Sequence, residues 1–227
     1  MKGTMTMSRS GLLAITMAVL VPLISACCSS GRASPPDDPV ASEIDQRVRD
    51  LLSGYEYVPS PEDWARIGKP EDVSAALIRI AGKPEGQTLS AARATSSLAH
   101  FPRPEVATFL EGRIKDPKAL ATLRGKAAIA LAVGFGDEKA SVIAPLFANS
   151  DEALRDDAIR AFRRLSSPEA ERFLDARAKL EPVEHLRSSM LNAQTQIALT
   201  RDEQTRAKTY PKKNDELPAI RDPGPIH

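Results

Sequence analysis

The chain has 227 residues, a formal net charge of +1, 27% charged side chains and 4% aromatic ones, which is room for one domain with tails. Balanced charge gives no footprint for nucleic acid, whose binding demands a basic stripe. Sparse aromatics and abundant alanine favour thin helix-on-helix layers over a large globular core.

Residues 1–26 read as a cleaved export signal. Lys2 and Arg9 give a positive start, Gly11 to Leu23 is apolar, and small residues follow. Thirteen residues rise about 20 Å as a helix, short of a ~30 Å hydrocarbon core. The end of this segment, Leu23-Ile24-Ser25-Ala26-Cys27, resembles the lipobox of bacterial lipoproteins. The resemblance implies cleavage before Cys27, acylation of its sulfur and amine, and firm membrane anchoring through several acyl chains. Ile24 stands where that family most often has leucine, and an ordinary secretory signal is the other reading. Residue 28 is Cys, not Asp. By resemblance to enterobacterial sorting, this implies an outer-membrane lipoprotein facing the periplasm, with the inner membrane as the alternative. Lys2 and Arg9 take two of the 31 basic residues with them, leaving 29 against 30 acidic ones. The only cysteines, Cys27 and Cys28, are adjacent, so the folded part offers no disulfide and no thiolate metal site.

Residues 27–40 are rich in Ser, Pro and Asp and are expected to form a flexible tether behind the anchor. The folded domain is expected over 41–199. Ile44, Val48, Leu51 and Leu52 share one helical face, and PEDVSAALIRIA supplies a second helix with Val73 and Ala76 inward. Between them stand Tyr55, Tyr57 and Trp64. They read either as the cap of a helix stack or as an aromatic pocket for a small-molecule or cell-wall ligand.

From Ala94 onward a unit of helix, tight turn and helix repeats. Its first helices place Ala94, Ala127, Ala158 and Met190 in one column, 33, 31 and 32 residues apart. Four residues on come Leu98, Leu131, Phe162 and Gln194, so the column fails only in the last unit. Its second helices place Val106, Ala140 and Ala170 inward, each followed three residues later by Phe109, Ile143 and Phe173. Pro61, Pro70, Pro104, Pro117, Pro168 and Pro182 mark expected helix starts, with Ser60, Asp116 and Ser167 as N-caps. Gly54, Gly68 and Gly82 mark ends. No stretch alternates with period 2, so no strand is needed.

Ser150 to Leu174, SDEALRDDAIRAFRRLSSPEAERFL, closely resembles the bacterial HEAT-like repeats of the phycobilisome-lyase type, and Leu123 to Leu146 is similar. Ser90 to Leu110 matches loosely, and Leu186 to Leu199 resembles a decayed half-unit. The resemblance covers about half the chain. It implies an all-α right-handed solenoid of about four helix pairs that binds other proteins, and nothing of chromophore handling.

Arg124, Arg155 and Arg187 recur 31 and 32 apart in the first helices. They form either a structural ladder with acids such as Asp151 or Asp156, or a column for an acidic partner. Off the apolar face of the second helices lie Thr108, Arg113, Ser141, Arg172 and Arg177. In solenoids that helix lines the concave groove, so these residues are the candidate partner surface, or else a solvated face. Gly134-Phe135-Gly136-Asp137 reads as a turn, since no Lys-Ser/Thr follows in register for a phosphate loop. His100, His185 and His227 lack metal-site spacing, and no catalytic set can be assembled. Residues 200–227, with four prolines and dense charge, are expected to be a disordered tail. Leu217 to Ile220 is their only apolar anchor. The expectation is a non-enzymatic envelope scaffold without cofactor or metal, held to the membrane by Cys27 and gripping an envelope protein.

Overall fold

The computed structural model describes residues 39–54, 58–83 and 89–209, and every regular element among them is helical. Proline occupies the first position of α2 (Pro61–Ile67), α3 (Pro70–Gly82), α5 (Pro104–Lys115) and α9 (Pro168–Ala178). There its missing N–H removes a donor that would otherwise go unpaired. Ser60 and Asp63 form a reciprocal capping box, while the Ser167 and Asp151 side chains accept from the N–H groups of Ala170 and Leu154, both at 3.2 Å.

Two of the expected starts fall elsewhere. Asp116 ends α5 rather than opening a helix, and its Oδ1 accepts from the Lys118 N–H at 2.9 Å in the turn that holds Pro117. Pro182 lies two residues ahead of α10 (Glu184–Thr209).

The first helices are α1 (Pro39–Ser53), α4 (Leu89–Ser97), α6 (Ala121–Phe135), α8 (Glu152–Phe162) and α10. They touch one another in chain order and make one layer. The second helices make another: α3 meets α5, and α5 meets α7 (Ala140–Ile143). α3, α5 and α9 each pack most heavily on the first helix that follows, namely α4, α6 and α10. Ala94, Ala127, Ala158 and Met190 are fully buried between the layers, and Leu98, Leu131 and Phe162 are buried beside them. Small residues in the first column let neighbouring backbones approach, and the larger second column fills the gap between layers.

The second helix after α6 departs from the expected regular form. Only Ala140–Ile143 is α-helical, flanked by 3₁₀ turns at Gly136–Lys139 and Ala144–Ala148. Pro145 lacks the N–H that would continue the ladder, and it opens the second of those turns. Gly136, at φ +63°, makes the sharp exit from α6.

At the other end, α10 runs through Thr209, ten residues into the stretch expected to be tail. Residues 200–209 contain strong helix formers and no Gly or Pro. Arg201 holds this extension to α9 through Glu171 at 2.8 Å. Residues 210–227 lie outside the described residues.

Candidate interaction surfaces

The arginine column is a capping device. A helix end leaves its last carbonyls without donors, and the guanidinium fork can supply several at once. Arg124 of α6 donates to the Ile114 carbonyl at 3.0 Å, at the end of α5. Arg155 of α8 donates to the carbonyls of Asn149 and Ser150 at 2.9 and 3.1 Å. Arg187 of α10 reaches the Glu181 carbonyl at 3.1 Å, just past α9. Arg93 of α4 shares the register but caps a different end, donating to the carbonyls of Leu52 and Gly54 at 2.6 and 2.5 Å, at the close of α1 rather than of α3. One more step of 31 back from Arg124 would have found it in the sequence.

Asp151 and Asp156 do not form the rungs. Asp151 caps α8, and Asp156 pairs with Arg160 at 2.7 Å. The ionic partner of Arg155 is Glu181, with two hydrogen bonds at 3.0 and 3.1 Å, both residues being buried.

The second-helix residues divide into two groups. Arg113 and Arg177 are half-buried and turned along the stack. Arg113 donates to the Ala81 carbonyl at 2.9 Å and lies over the Phe109 ring, while Arg177 donates to the Phe147 carbonyl at 2.5 Å. Each thus closes the second helix of the preceding unit, which takes it out of the solvent-facing set. Thr108, Ser141 and Arg172 are exposed. Thr108 Oγ1 donates back to the Pro104 carbonyl at 2.9 Å, and Arg172 pairs with Glu169 at 2.5 Å. Ser141 sits on the rim of an apolar notch of about 180 Å³ that reaches Phe162 and Phe173.

Trp64 is 2% exposed and meets Phe101 edge-on at 6.3 Å between ring centres. It is a core side chain, so it presents no ring face to a ligand. Tyr55, Tyr57 and Cys27 lie outside the described residues.

Of the expected turn Gly134 to Asp137, Gly134 and Phe135 finish α6 and only Gly136 and Asp137 lie in the 3₁₀ turn, which also serves packing. The Asp137 carboxylate accepts from the Ser166 N–H at 3.2 Å and the Ser167 N–H at 3.0 Å, joining one unit's turn to the start of the next unit's second helix. Burial works to raise its pKa, but the hydrogen bonds from Ser167 and Ser166 outweigh it and hold the carboxyl below the usual aspartate range. Asp157 of α8 goes the other way. Burial pushes it up, against the opposing pull of Lys126 and Arg160.

On the first-helix layer a cleft of about 520 Å³ opens between α6, α8 and α10, with Arg160, Arg163 and Arg164 in its wall. The sequence reading passed over it, because those arginines belong to one unit and recur in no other. Among the described residues no cluster of three metal-ligating side chains occurs, and no helix is long and apolar enough to cross a membrane. No protein-family model matches the chain, and no curated protein matches it either.

Proposed function

We propose that the chain is a membrane-held interaction scaffold, a HEAT-like α-solenoid acylated at Cys27 that holds an envelope protein against its second-helix face. The observation that carries this reading is the arginine column. Arg93, Arg124, Arg155 and Arg187 recur every 31 or 32 residues; the last three cap the backbone at the end of the preceding unit, and Arg93 caps the end of α1. A side chain that returns to the close of the preceding helix at a fixed step in Arg124, Arg155 and Arg187 supports a stack of helix pairs, whose extended surfaces serve as binding faces. Thr108, Ser141 and Arg172 are the residues assigned to that face, and the lipobox-like stretch ending at Cys27 supports the anchor.

A photo-crosslinking residue at Ser141, introduced in living cells, tests the face. A discrete adduct is expected there and not at Asp202, on the outer end of α10. Identical patterns at the two positions would sink the reading. Labelled palmitate should enter the wild-type chain and not Cys27→Ala.

A further inference from the structure

We propose that the cleft between α6, α8 and α10 is a second binding site, which takes an acidic peptide segment of a partner protein. The proposal rests on the scaffold reading. The cleft is lined by Ile129, Arg160, Arg163, Arg164, Gln196 and Thr200, and its volume of about 520 Å³ falls within the roughly 300–1,000 Å³ of recessed ligand sites. Gln196 and Thr200 stand four apart on α10 and so face it together.

Most arginines described above are committed. Arg93, Arg124, Arg155 and Arg187 close backbone ends, Arg113 and Arg177 do the same in the second layer, and Arg172 and Arg201 are ion-paired. Within the cleft Arg160 is also occupied, by Asp156 at 2.7 Å and more distantly by Asp157 at 3.9 Å. Arg163 and Arg164 differ. Both are exposed, and neither guanidinium has a hydrogen-bond or ionic partner among the described residues. Two uncommitted cations at the end of α8, with an isoleucine from α6 and an amide and a hydroxyl from α10, make a site for an anion with an aliphatic stem.

The surroundings favour carboxylates on a peptide over phosphate. Arg163 and Arg164 follow the C-terminus of α8, the negative end of its dipole, and none of the lining residues belongs to the first turn of a helix. A phosphate site typically draws on such N–H groups. Asp156 and Asp157, about two turns back, would repel a compact dianion. A peptide instead spreads single charges over two guanidiniums, each able to hold a carboxylate bidentately. It lays methylenes on Ile129 and offers backbone groups to Gln196 and Thr200.

Fluorescence anisotropy of labelled hexa-glutamate against the purified full chain tests this. Binding is expected to weaken roughly tenfold or more in Arg163→Glu/Arg164→Glu, to stay within about twofold in Arg47→Glu, an exposed arginine of α1 paired with Glu43, and to be lost with hexa-glutamine. Both side chains are exposed, so far-UV circular dichroism should show an unchanged fold. If the double reversal fails to fold, Arg163→Gln/Arg164→Gln takes its place. Undiminished binding in the variant overturns the proposal, as does an equal loss in Arg47→Glu. So does binding of inorganic phosphate or phosphatidylglycerol vesicles through Arg163 and Arg164 where hexa-glutamate fails. Crosslinking from Ser141 separates this from the scaffold reading. Adducts there without hexa-glutamate binding remove the cleft alone, and hexa-glutamate binding without adducts removes the scaffold alone.

Discussion

Asp157 of α8 fills the space that a side chain on Gly125 of α6 would need. A Cβ built on Gly125 would fall 2.7 Å from the Asp157 Cβ and closer still to its carboxylate. The obstruction includes an atom fixed to the backbone, so rotating the carboxylate away does not relieve it. α6 and α8 touch each other more extensively than any other two helices described, and the bare Cα of Gly125 permits that approach. Gly125→Ala would gain about 1 kcal/mol of helix propensity, but overpacking of this kind costs about 1–3 kcal/mol. Net destabilisation is expected in urea unfolding. Asp157→Gly should recover part of it, so the double variant should be more stable than the sum of the single changes predicts. Strict additivity would mean that the two helices do not meet here.

The same carboxyl has an opposite consequence for pH. Burial raises the folded-state pKa of Asp157, so the native chain binds this proton more tightly than the unfolded one does. The stability it contributes is present at low pH and is lost as pH rises through the folded value. At pH 7 the charged form is therefore a liability, and Asp157→Asn should melt at a higher temperature than wild type. The advantage should fade below about pH 4, near the unfolded aspartate pKa. Thermal scans across that range check it.

Asp137 carries the contrary sign. Its hydrogen bonds with Ser167 and Ser166 lower the folded-state pKa despite burial. Its contribution is full above the unfolded pKa of about 3.9 and is lost as pH falls through the folded value. Asp137→Asn loses charge-assisted bonds to the Ser166 and Ser167 N–H groups, at about 1–2 kcal/mol. The gap between variant and wild type in urea should be open at pH 7 and should narrow as pH falls below about 3.9.

Arg155 and Glu181 are the buried ionic pair, at 8% and 2% exposure. Removing one member strands the other away from water, which costs about 3–5 kcal/mol, whereas an apolar pair of similar volume is often neutral. Glu181→Ala should therefore be severe in urea unfolding, and Arg155→Met/Glu181→Leu much milder. Comparable losses in both would show that the arginine's bonds to the Asn149 and Ser150 carbonyls, not the ion pair, hold this corner.

The helices and their inward columns were legible because they rest on local rules. Pro61, Pro70, Pro104 and Pro168 open helices for a reason contained in one residue, and Ala127 or Leu131 faces inward by spacing alone. What stayed hidden depends on the partner's position. Arg113 and Arg177 share the outward-looking register of Thr108, yet each bends along the stack to a carbonyl about thirty residues away. That target exists only once the helices are packed together. Arg155 likewise has acids close by in sequence, and its partner is Glu181, twenty-six residues on. Trp64 carried two readings because an aromatic can serve a core or a pocket, and only burial decides between them. The cleft beside Arg163 was invisible for a related reason. A surface charge pattern within one helix does not say which side chains remain unpaired.

Phe162 joins the two layers. It meets Phe147 edge-on at 4.9 Å and Phe173 at 5.1 Å between ring centres, and it is 1% exposed. Phe162→Ala should cost about 3–5 kcal/mol. In the proposed stack, where each unit touches only its neighbours, that loss is felt unevenly. Amide exchange should accelerate most in α8, in α9 and in the half of α10 packed on them, while α3 and α4 retain most of their protection. A uniform acceleration across all the helices would instead describe a single cooperative globule, and the repeat-stack reading behind the proposed scaffold would fail with it.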